Sequence, residues 1–151
     1  MEKKQVFGHF NFKNNRAKIL TIAFTALLLF VFISGESVRQ THYDRNKYNE
    51  DVSYEFASQN WEKMSDAQSI YHRHGVGNEN NEKFISPDGH SENVYRNHEL
   101  VKEAANLGTY NFIAPRGFGN IGHFFADVLP YWVWGNTPDD ATPFWNRVTG
   151  P

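Results

Sequence analysis

The sequence predicts an α+β protein: a single N-terminal transmembrane helix, followed by a small antiparallel sheet packed against helices. Three observations carry this expectation. Residues 19–35 contain no charged side chain and follow a basic head. Two strand-like runs flank Ser86-Pro87-Asp88-Gly89, a turn-forming sequence. Phe125, Val128, Leu129 and Trp132 recur at the spacing of one helical face.

The head, residues 1–18, carries Lys3, Lys4, Lys13, Arg16 and Lys18 against Glu2. The uncharged run from Ile19 to Gly35 spans roughly 26 Å at about 1.5 Å per residue, close to a bilayer core of about 30 Å. A buried core helix and a signal peptide cleaved after Gly35 are the alternatives. The run has no polar face, its basic segment is long, and no Ala-x-Ala box follows. These features favour an uncleaved signal anchor. The positive-inside rule then keeps residues 1–18 in the cytoplasm and places the rest outside, in the periplasm of a bacterium. The expected localisation is the inner membrane, single-pass, with the membrane itself as a partner through residues 19–35.

Beyond the anchor, residues 36–56 are polar without a clear period and read as a stalk. Residues 57–151 read as an extracytoplasmic α+β module. An amphipathic helix is expected over 51–72, with Val52, Phe56, Met64, Ala67 and Ile70 on one side and Gly75 and Gly77 ending it. Lys83–Ile85 and Ser91–Tyr95 then form a hairpin, because Pro at the second and Gly at the fourth turn position fit a type I turn. Leu100-Val101 starts another strand, and Thr109–Ile113 follows the Gly108 break as a further one. A helix over 121–134 covers this sheet with Trp132 buried, kinked or ended by Pro130.

Composition narrows the function. The 151 residues suit one domain of ordinary size. Fifteen basic against seventeen acidic side chains give a net charge of −2, which argues against a general nucleic-acid binder. The absence of cysteine excludes disulfides, thiolate metal sites and a Cys nucleophile. Sixteen asparagines favour turns and irregular connections.

Three stretches resemble a known module: Phe84-Ile-Ser-Pro-Asp-Gly-His-Ser-Glu-Asn-Val-Tyr95, Leu107-Gly-Thr-Tyr-Asn-Phe112 and His123-Phe-Phe-Ala-Asp-Val-Leu-Pro-Tyr-Trp-Val-Trp-Gly-Asn136. In order and spacing, residues 78–140 resemble the C-terminal tip of bacterial polymorphic toxins of the Rhs type. The resemblance implies a secretion or competition setting and a protein partner, such as a cognate immunity or envelope protein. It implies no defined reaction. Those tips end very large secreted proteins, whereas this module follows its own apolar segment.

The candidate chemistry lies in four residues. His123 and Asp127, at i and i+4 of a helix, can meet, and a carboxylate fixes the tautomer of a histidine acting as general base. His90 and Glu92, two apart on a strand, share a face and could add a second base and an acid. The sequence therefore names His90, Glu92, His123 and Asp127 as candidate catalytic residues. Tyr71-His72-Arg73-His74 would ligate a metal only in extended backbone. No P-loop, GxSxG, HExxH or GxGxxG is present, and no cofactor or metal is expected. Three functions fit: an interaction or secretion-associated module, a toxin-like hydrolase or nuclease, and a phage or plasmid lysis or exclusion protein.

Overall fold

The structure is a computed structural model; it describes residues 21, 22, 24, 25, 27, 34–117 and 119–151. The chain divides into two units, residues 1–38 and Arg39–Pro151. In the first, the described residues are helical, and Ile22, Phe24 and Leu27 are exposed. The expected transmembrane helix is corrected here. Among the described residues no helix is long and apolar enough to cross a membrane. The basic segment 1–18 and most of 19–35 lie outside the described residues.

The second unit begins with α1 (39–44), which tightens into a 3₁₀ turn at Arg45–Tyr48. The polar segment 36–56 is therefore not a stalk beyond Arg39, because His42 and Arg45 are both only 2% exposed. Its polar residues serve the interior of the module. Asn49, for example, donates to the Glu92 carbonyl at 3.0 Å.

The single helix expected over 51–72 is instead α2 (Tyr54–Asn60), strand β1 (Glu62–Lys63), α3 (Asp66–Ser69) and a 3₁₀ turn at Ile70–His72. Each break has a local cause. Ser53 caps α2 by accepting from Phe56 N–H. Trp61 leaves the helix in extended conformation and packs with Ala57, Phe84 and Tyr95. Ser65 opens α3, with Gln68 Oε1 reaching back to its N–H at 3.1 Å. Tertiary burial of Trp61 has overridden a helical period that looked continuous, and it leaves Phe56 exposed.

The hairpin forms as expected. β2 (Glu82–Ile85) pairs antiparallel with β3 (Glu92–Arg96), and Ile85 faces Glu92. Gly89 N–H donates to Ser86 O at 2.9 Å across the turn. Arg96-Asn97-His98-Glu99 then turns into β4 (Glu99–Leu100). Positive φ at both Asn97 and His98 is the signature of a type I′ turn. The sheet is a four-stranded meander in the order β1-β2-β3-β4.

Thr109–Ile113 is not a strand. It meets the sheet at one bridge, Ser91 with Tyr110, flanked by Glu92 N–H to Thr109 O and Asn111 N–H to His90 O. Gly108 makes this approach possible. A Cβ there would lie 1.9 Å from the Glu92 carbonyl oxygen.

Strand alternation divides the hairpin into two faces. Phe84 and Tyr95 point to one, where they join Ala57 and Trp61 with Val52, Tyr54 and Leu100 in an apolar cluster. Lys83, Ile85, Glu92 and Val94 point to the other. This second face is also buried, although it carries two charges.

The last helical stretch is α4 (Gly119–His123), a π turn at Phe124–Val128, and α5 (Leu129–Trp134). In the π turn, Leu129 N–H reaches back to Phe124 O, one residue further than in an α-helix. One extra residue rotates the two halves by about 100° relative to each other. The buried side is therefore Asp127, Pro130 and Tyr131, while Phe125 and Leu129 are exposed and Trp132 is only half-buried. A final helix, α6 (Phe144–Thr149), returns to α5, where Arg147 donates to the carbonyls of Trp132 and Val133.

Candidate active site

The charged face of the hairpin closes one side of a cavity of about 300 Å³. The α3–3₁₀ segment, the 3₁₀ turn after α1, the 109–111 connection and the π turn supply the other walls. Its exposed or half-exposed rim includes Met64, Gln68, Asn120 and His123. Its floor includes Arg45, His72, Lys83, Glu92, Asp127 and Asn136, all under 10% exposed.

Three of the four residues named from the sequence line this cavity: Glu92, His123 and Asp127. His90 does not. β3 begins only at Glu92, so the strand alternation that would align His90 with Glu92 does not extend back to position 90. The turn closes through Ser91 N–H to Ser86 Oγ, and His90 stacks on Tyr110 with Nδ1 2.7 Å from Asn111 O.

His123 and Asp127 meet as their spacing predicts, with Nδ1 3.2 Å from Asp127 Oδ2. Nδ1 is also 3.0 Å from Ile113 O. Both neighbours are acceptors, so Nδ1 carries a proton, and in the neutral ring Nε2 carries the lone pair. Nε2 has no hydrogen-bond partner among the described residues, and it belongs to a ring on the cavity rim. Asp127 is fixed in turn by Phe112 N–H at 2.9 Å to Oδ1 and Ile113 N–H at 3.1 Å to Oδ2. The arrangement is an oriented base: backbone holds carboxylate, carboxylate holds imidazole.

Glu92 is committed differently. Its Oε2 is 2.7 Å from Lys83 Nζ, and its Oε1 accepts from Asn111 at 2.9 Å. Burial pushes the carboxyl up, but Lys83, His72 and the Asn111 hydrogen bond together more than offset this and hold it below the usual range. Glu92 is thus a paired carboxylate, poorly suited to donate a proton. His72 Nε2 lies 3.9 Å from Glu92 Oε2. Burial, reinforced by Lys83, lowers the His72 pKa to about 3. The ring is therefore neutral at pH 7 and the contact is not an ion pair.

His72 and His74 do not form a metal pair. His74 Nε2 is 3.1 Å from the Tyr131 hydroxyl, which donates to Tyr71 O. Among the described residues no group of three or more His, Cys, Asp or Glu could hold a metal ion.

The sequence reading missed Arg45, His72, Lys83, Asn111 and Asn136 as cavity residues. For Lys83 a signal existed. The hairpin register puts Lys83 and Glu92 on one face as diagonal neighbours, within reach of long side chains. Arg45 had no such signal, because its place depends on contacts about 90 residues away: His42 Nε2 donates to Gly135 O and Asn46 Nδ2 to Asn136 O.

No protein-family model, curated protein or solved structure matches the chain.

Proposed function

We propose that residues 39–151 form a toxin-like hydrolase or nuclease in which His123 is the general base and Asp127 its positioning residue. The observation that carries this reading is the Nδ1-anchored imidazole, whose second ring nitrogen belongs to the rim of a cavity floored by buried charged side chains. Nε2 takes a proton from water as the water oxygen attacks the electrophilic centre. The resulting imidazolium returns that proton to the leaving oxygen as its bond breaks, so no proton is lost or gained. Lys83 and Arg45 supply the positive charge that stabilises a developing oxyanion in the cavity. The sequence resemblance to polymorphic-toxin tips supports the toxin setting of this reading, not its chemistry.

The test is growth of cells producing the full chain. Wild type should arrest growth, and His123→Gln should relieve the arrest. A general base contributes about 10²–10⁴-fold to rate. Equal toxicity of both forms, each shown folded, would sink the assignment.

A second reading has its own observation. Ile121, Phe125, Leu129 and Val133 are exposed at four-residue intervals, an apolar stripe along α4–α5. Such a stripe suits a protein partner, as expected of an interaction module or of a toxin with a cognate inhibitor. Phe125→Glu should leave stability within about 0.5 kcal/mol of wild type, because the site is already exposed. It should also abolish binding of the partner. A folded Phe125→Glu protein that still binds it would exclude the stripe as the docking site.

A further inference from the structure

Two residues of the cavity floor each keep a buried side-chain nitrogen with no hydrogen-bond partner among the described residues: Arg45 Nε and Asn136 Nδ2. Both residues are 2% exposed. Interiors rarely leave such groups unpaired, and two on residues of one cavity point to a ligand that supplies the missing acceptors. Arg45 is the more telling. Its Nη1 donates to His42 O at 2.9 Å and also to the His42 ring. Its partners in this contact are neutral. His42 donates Nε2–H to Gly135 O, and burial, with Arg45 itself, lowers its pKa to about 4. The carboxylates of Asp127 and Glu92 act on Arg45 only at longer range, and each is already held, Asp127 by two backbone N–H groups and His123, Glu92 by Lys83 and Asn111.

We propose that this floor binds the phosphate group of a phosphate ester, with the Arg45 guanidinium as its counter-ion and Asn136 Nδ2 as a neutral donor. The proposal deepens the hydrolase reading and rests on it for the identity of the bond that reacts. Arg45, Lys83 and Asn136 bring donors from three separate wall segments, which suits a tetrahedral group with oxygens on every side better than a flat carboxylate. A guanidinium also offers the fork that phosphate oxygens accept. The charge balance agrees. Arg45 and Lys83 cancel Glu92 and Asp127 in the resting cavity, and one positive charge appears once His123 has taken a proton. That charge complements the negative charge that builds on a phosphoryl group under attack. The volume of about 300 Å³ accepts one monomer unit rather than a length of polymer, and residues 36–151 carry sixteen acidic against ten basic side chains. A compact phosphorylated ligand is favoured over a long polyanion held along the surface.

The experiment is a titration of the ¹⁵N-labelled full chain with inorganic phosphate, uridine 3′-monophosphate and a short single-stranded RNA. Phosphate should move the backbone amide signals of Arg45 and Asn136 in the wild type. Arg45→Met should weaken phosphate binding at least tenfold, Arg45→Lys less so, and His123→Gln should bind within about twofold of wild type. Stronger binding of the monophosphate than of phosphate identifies a small ester as the source. RNA binding that also moves Arg45 identifies a strand end, and both outcomes support a phosphate site. Absence of any shift at Arg45 and Asn136 overturns the proposal, and this readout needs no variant to fold. The two readings fail separately. An active enzyme that ignores all three probes sinks the phosphate site alone, whereas phosphate binding with full activity in His123→Gln sinks the base assignment alone.

Discussion

His42 and His72 are buried in neutral form, and this sets how the protein responds to acid. Their pKa values, about 4 and about 3, lie below the ordinary histidine value because burial penalises the charged ring. Between about pH 6.5 and those values the unfolded chain binds protons that the folded chain refuses, so stability rises with pH in that window and falls on acidification. Each ring contributes about 1.4 kcal/mol per pH unit across its own window. The urea midpoint should therefore drop steadily from pH 7 to pH 5, and a flat profile would contradict the buried neutral assignment. At this scale the sequence was partly legible. His123 and Asp127 are one helical turn apart, so their contact is written in the spacing itself. Arg45 could not be read that way. In a polar run it is indistinguishable from a solvated surface residue until the chain near Gly135 folds back on it.

The hairpin and the π turn show the limits of local patterns at the level of elements. Ser86-Pro87-Asp88-Gly89 dictates its own turn, so β2 and β3 follow from sequence alone. The face of the last helix does not, because a single widened turn before Pro130 shifts the phase. The apolar period that pointed Phe125 and Trp132 inward instead leaves Phe125 exposed and buries Tyr131. The 109–111 connection depends on a different device, the missing side chain at Gly108. Gly108→Ala would drive a methyl group into the Glu92 carbonyl and should cost about 3 kcal/mol. Gly77→Ala is the control. Its φ of +87° strains an alanine, but nothing lies within 4 Å of the added Cβ, so its cost should stay at about 1 kcal/mol. Chemical denaturation of the two variants compares them directly. Similar losses in both would show that the close approach of Gly108 to β3 is not a packing constraint.

Across the module, the interior is unusually hydrophilic. Among the described residues eight hydrophobic side chains are buried against nineteen polar or charged ones, six of them asparagines. The asparagine amides tie together segments that no sheet or helix connects: Asn81 donates to His72 O, Asn106 to His74 O and Asn111 to Gly89 O. The abundance of asparagine predicted irregular connections, and these are present, yet the amides lie inside the module and join the connections to one another. Such an interior has a thermal consequence. Unfolding exposes polar surface, which lowers the heat capacity by about 0.26 cal/K/mol per Å², against a rise of about 0.45 for apolar surface. The heat-capacity increment of unfolding should therefore fall below the usual value of about 12 cal/mol/K per residue. A smaller increment flattens the curve of stability against temperature. Differential scanning calorimetry should thus find a module whose stability changes little between the cold and the warm, held less by water's aversion to hydrocarbon than by amides that have found one another.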